Sequence, residues 1–121
     1  MLRVLGIALA FMFFAASANA VRELVIIEEP QIAQRVEGIV LDANGDPIEG
    51  MTVTDRTQDG VTVLRSTTTD AKGYFRFPTR AGKSVYCIRF ENPLWNPLQI
   101  TVKLDKHAHQ RGITARPEIG G

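Results

Sequence analysis

The sequence predicts an all-β fold, a single sandwich of about seven strands. Two observations carry that prediction. No stretch after Val21 keeps a 3.6-residue apolar period, and short β-branched runs separated by Gly, Pro, Asn and Asp recur instead. A third observation sets the frame. Met1-Leu2-Arg3, the apolar run Val4–Ala16 and the small-residue site Ala18-Asn19-Ala20 form the three parts of a cleaved signal peptide. The apolar run is shorter than the roughly 20 residues of a permanent span. The expected organisation is therefore a signal peptide at 1–20, an edge segment at 21–34, a sandwich at 35–114 and a flexible tail at 115–121. The expected location is periplasmic or secreted, with no membrane span once the signal is removed.

The strands follow in order. Glu23–Ile27 reads as an edge strand closed by Pro30, and Arg35–Asp42 as a clearer one. Asn44-Gly45 supplies a turn and Pro47 stops the ladder. Gly50–Arg56 follows, with Met51 and Val53 on one face. Asp59-Gly60 is a hairpin signal before Val61–Thr69, and Asp70-Ala71-Lys72-Gly73 turns the chain into Tyr74–Phe77. Ser84–Glu91 and Leu98–Leu104 alternate apolar and polar residues. The expected core is Val36, Val40, Met51, Val53, Phe75, Phe77, Tyr86, Ile88, Phe90, Ile100, Val102 and Leu104. Ile39, Leu41 and Cys87 point away from it and call for cover, most simply by the Glu23–Ile27 strand, with a partner interface as the rival explanation.

Charge and cysteine narrow the function. Of 14 basic residues only Arg3 leaves with the signal, so 13 basic residues face 13 acidic ones. That balance gives no electrostatic case for nucleic acid. Cys87 is the single cysteine, so no internal disulfide can form and it reads as a small buried hydrophobe.

Four segments carry a family resemblance: Val36-Glu37-Gly38-Ile39-Val40-Leu41-Asp42; Asn44-Gly45-Asp46-Pro47-Ile48-Glu49-Gly50-Met51-Thr52-Val53; Thr68-Thr69-Asp70-Ala71-Lys72-Gly73-Tyr74-Phe75-Arg76-Phe77; and Gly82–Phe90. Together they resemble the carboxypeptidase regulatory-like domain, within the transthyretin-like group. The resemblance spans Arg35–Leu104 and implies a prealbumin-like sandwich. It also implies a non-catalytic module of the kind attached to peptidases, transporters or surface proteins. Its motifs are turn and core residues, so they specify fold more than activity.

The candidate chemistry is sparse. Asp42, Asn44 and Asp46 have the spacing of a calcium-loop opening, but a hairpin context favours side chains bonding their own backbone. His107 and His109, with Asp105 nearby, fall short of the three or four ligands of a zinc site. No G-x-S-x-G elbow is present, and Ser66 and Ser84 fall in strands. Within the transthyretin-like group, hydroxyisourate hydrolases use histidines and a C-terminal tyrosine motif. The ending Pro117-Glu118-Ile119-Gly120-Gly121 does not match it. Adhesin-like relatives form Lys–Asn or Lys–Asp isopeptide bonds. Glu91 stands where the promoting acid would be, but Val36–Leu41 has no lysine.

These readings predict no catalytic residue, no metal and no cofactor. They leave a binding or structural module of the cell envelope, acting through loops or a sheet edge on an envelope protein or glycan. If a specific contact site exists, its expected residues are Asn92, Leu94, Trp95 and Asn96, in a loop stiffened by Pro93 and Pro97; the simpler reading of Trp95 itself is that it folds down to plug the end of the sandwich. The alternative function is a carbohydrate-binding module centred on Trp95.

Overall fold

The computed structural model describes residues 24–119. The expected signal peptide and the last two residues lie outside that range. Among the described residues, nine strands form two sheets: β1 (Ile26–Ile27), β2 (Gln31–Ala33), β3 (Glu37–Val40), β4 (Thr52–Arg56), β5 (Val63–Thr68), β6 (Tyr74–Arg76), β7 (Val85–Asn92), β8 (Trp95–Leu104) and β9 (Ile113–Ala115). The larger sheet runs β1-β8-β7-β4-β5, with β2 also on β8, and the smaller runs β6-β3-β9.

The two strands added to the expected seven are β2 and β9. Both are three residues long, too short to show a period. Pro30 does not end the N-terminal edge; it sits in a break. β1 and β2 both run parallel to β8, with Ile26 opposite Leu98 and Gln31 opposite Val102. The segment therefore widens the large sheet and does not cover an outer face. Ile39 lies on β3 of the small sheet and Leu41 just past its end, whereas Cys87 lies on β7 in the large one, so one strand could not have covered all three.

Alternation puts Val53, Phe75, Tyr86, Ile88, Phe90, Ile100 and Val102 between the sheets, each 2% exposed or less. Every expected core residue is buried except Leu104, which packs partly against the cluster. Ala33, Ile48, Leu98, Ile113 and Ala115 complete the core.

The segment expected to be a loose tail is held to the sandwich. Leu41 donates its amide to the Ala115 carbonyl and Asn96 donates to Glu118, at 2.9 and 2.8 Å. Ile119 forms a bridge with Trp95.

Candidate functional site

The expected contact loop is a tight hairpin. β7 runs to Asn92 and β8 starts at Trp95, with Asn92 directly opposite Trp95. Only Pro93 and Leu94 connect them. Asn92 Oδ1 accepts the Leu94 amide at 3.0 Å, which shapes the turn. Leu94 is 72% exposed at the tip. Trp95 is a strand residue, half-buried against the core, and Asn96 is tied to Glu118. Pro97 lies within β8 and does not flank a loop.

The two Asp-Ala-x-Gly turns share one geometry. Asp42 Oδ1 accepts the amides of Asn44 and Asp46 at 2.8 and 2.9 Å. Asp70 Oδ1 accepts those of Lys72 and Tyr74, both at 2.9 Å. In both, the glycine amide returns to the aspartate carbonyl. The carboxylates hold the turns, as the hairpin context implied.

His107 and His109 are both exposed. Asp105 Oδ1 accepts the His107 backbone amide at 2.9 Å, so this acid shapes the loop. Among the described residues no three His, Cys, Asp or Glu side chains gather to hold a metal ion. Cys87 is buried, and desolvation pushes its thiol above the ordinary value of 9.0 despite the opposing charges of Arg89 and Arg56.

The strand edges are more informative. The outer edge of β9 is closed by a side chain: Gln31 Nε2 donates to the Thr114 carbonyl at 2.9 Å, and Gln31 Oε1 accepts the Thr114 amide at 3.3 Å. One amide group thus stands in for a neighbouring strand. The edge at β1 and β2 is broken at Pro30, and β6 is three residues long. β5 is different. It is six residues long, ends the order of the large sheet, and contains neither Pro nor Lys.

Its backbone polarity follows from the register. The Thr69 amide reaches the Met51 carbonyl at 3.0 Å, and Val53 lies opposite Thr67 and Asp55 opposite Arg65. Antiparallel pairs alternate in hydrogen bonding, so Arg65 and Thr67 bond β4 while Ser66 and Thr68 turn their amides and carbonyls outward. Ser66 and Thr68 are exposed. Val63 and Leu64 add 47% and 40% exposed aliphatic side chains at the start of the strand. Sequence reading placed the strand, but its position at the end of the sheet depends on long-range pairing.

Two sheets in this order define a transthyretin-like sandwich. The chain belongs to the carboxypeptidase regulatory-like domain family, whose model matches residues 35–114. Among solved structures it is similar to the 5-hydroxyisourate hydrolase of Klebsiella pneumoniae. That likeness has a TM-score of 0.53 at 20% identity and covers 73% of this chain and 92% of that one. At this identity the likeness concerns the fold. No curated protein matches the chain.

Proposed function

We propose that the protein is an exported, non-catalytic binding module of the cell envelope that takes an extended segment of a partner protein onto β5. The free β5 edge carries this reading, because outward amides and carbonyls at Ser66 and Thr68 offer the ladder that an added strand completes. Membership of a family of regulatory-like modules supports the non-catalytic part. The sequence of Met1–Ala20 supports export.

Ser66→Pro tests the edge. Proline removes an amide that β4 does not use, and edge strands tolerate it where the missing N–H faces solvent. The variant should fold and lose an envelope partner that crosslinks to the wild type through a photoreactive residue at position 64. Undiminished crosslinking in a folded Ser66→Pro variant would show that the partner docks elsewhere.

A further inference from the structure

We infer that the outer face of the large sheet carries a carboxylate-binding groove built from Arg56 and Arg89. The site is separate from the β5 edge, and its test does not depend on the strand-addition reading. Register brings its parts together: Thr54 lies opposite Arg89, Arg56 opposite Cys87, Thr52 opposite Glu91, and Arg89 opposite Gln99. Arg56, Arg89 and Glu91 therefore project from one face. The 57–62 connection folds onto that face, closed by the Thr57 amide on the Thr62 carbonyl at 2.9 Å and the Gly60 amide on the Thr57 carbonyl at 2.7 Å.

Fixed acceptors hold both guanidinium groups. Arg56 donates through Nε to Thr54 Oγ1 at 2.9 Å and through Nη1 to the Gly60 carbonyl at 3.1 Å. Arg89 donates through Nε and Nη2 to Gln99 Oε1 at 3.0 and 2.8 Å, and through Nη2 to the same Gly60 carbonyl at 3.1 Å. Gly60 makes this approach possible. Its φ is +78°, and a Cβ there would stand 3.0 Å from Gln99 Oε1 and 3.3 Å from Arg89 Nη2.

The charge on the face is incompletely answered. Glu91 lies 3.5 Å from Arg56 Nη2 and 4.0 Å from Arg89 Nη1, well beyond the roughly 2.7–2.9 Å of a strong charge-assisted bond. Asp59, on the folded connection, spends Oδ1 on the Thr57 hydroxyl at 2.6 Å and the Val61 amide at 2.9 Å. The arginine side chains are only 11% and 14% exposed, so water screens them weakly. Among the acids of the described residues, only Glu91 comes near Arg89 Nη1, at 4.0 Å. The nitrogens left over, Arg56 Nη2 and Arg89 Nη1, come one from each guanidinium, and together they suit the two oxygens of a single carboxylate. Val61, 72% exposed on the rim, supplies apolar contact for the adjoining carbon. In this arrangement Glu91 acts as a loosely seated internal competitor.

The test is an NMR titration of the isotopically labelled protein with sodium acetate, against sodium chloride at equal ionic strength. Saturable shifts at Gly60, Val61 and the Arg89 Nε signal are expected with acetate alone. Glucuronate and N-acetylalanine, titrated in parallel, distinguish a sugar-borne carboxylate from a peptide-borne one by which of them binds more tightly than acetate. Arg89→Gln should weaken acetate binding about tenfold or more. Glu91→Gln, at a more exposed position, should tighten it and keeps the test informative if the arginine variant does not fold. Equal shifts with chloride, no saturation, or weaker acetate binding by Glu91→Gln would each overturn the assignment.

Discussion

Arg65 Nε lies 2.7 Å from Asp55 Oδ2, and the same guanidinium sits 4.9 Å from the centroid of the Phe77 ring. Asp55 is fully buried. It shares the inner face of β4 with Val53, because residues two apart on a strand point the same way. The pair closes the sandwich between β5 and β6, which end their sheets among the described residues. Its satisfaction is incomplete, since Asp55 Oδ1 and Arg65 Nη2 are buried without a hydrogen-bond partner among the described residues. Removing one charge and leaving the other should therefore be costly. Asp55→Ala is expected to destabilise by about 3–5 kcal/mol in urea unfolding, while the joint replacement Asp55→Leu with Arg65→Met should be near neutral or stabilising. A joint variant as unstable as the single one would show that the ion pair itself supplies net stability.

Phe75 joins the two sheets. Its ring meets Phe90 of β7 edge-on at 5.3 Å and Phe77 at 6.5 Å. Phe75→Ala should cost about 3–5 kcal/mol by chemical denaturation. A loss below about 1 kcal/mol would place the ring outside the core.

Gly38 of β3 packs directly against the backbone of β9. A Cβ there would stand 2.1 Å from the Ile113 carbonyl oxygen, a backbone atom in the parallel neighbour strand. Gly38→Ala must therefore push β9 away. The expected loss is at least about 1–3 kcal/mol, the usual range for overpacking. Hydrogen exchange should quicken first at the Leu41 amide, which bonds Ala115.

Alternation made most of the core legible in the sequence. Phe75/Phe77 and Tyr86/Ile88/Phe90 each place two or three large apolar residues on one face. The same alternation pointed Asp55 inward beside Val53, but its charge hid that placement. β2 and β9 left no periodic signal because each is three residues long and takes its place from partners far along the chain, β8 and β3. The candidate edge was legible only as a strand. That β5 ends the sheet, and that Gln31 shields β9, depends on contacts spanning tens of residues. The Arg56–Arg89 groove was hidden for the same reason, since its parts come from β4, β7, β8 and a turn.

Burial gives Cys87 a predictable pH and reagent response. Its thiol is pushed above the ordinary value of 9.0, chiefly by desolvation. The folded state thus disfavours the thiolate, and this contribution to stability is complete below that value and declines as the pH rises above it. Alkylation by iodoacetamide at neutral pH should be slow in the folded protein and fast once denaturant is added. Equal labelling rates in the two states would show an accessible thiol.

Trp95 separates a structural from a contact role most directly. Its indole is half-buried against the core at the start of β8, and its backbone bridges Ile119. A fully buried Trp would cost about 3–5 kcal/mol on replacement by Ala. Part of the indole remains in water, so Trp95→Ala is expected to cost less, about 1.5–3 kcal/mol. The loss should have a local signature. Asn96 donates its amide to Glu118 beside the indole, and loosening the end of the sandwich should free that amide to exchange before the central β7–β8 ladder does. Urea unfolding and residue-resolved hydrogen exchange on the same variant check both parts. An unchanged stability would mean that the indole holds nothing in place and is free to serve as a contact surface. A loss with global acceleration of exchange would make it a full member of the core.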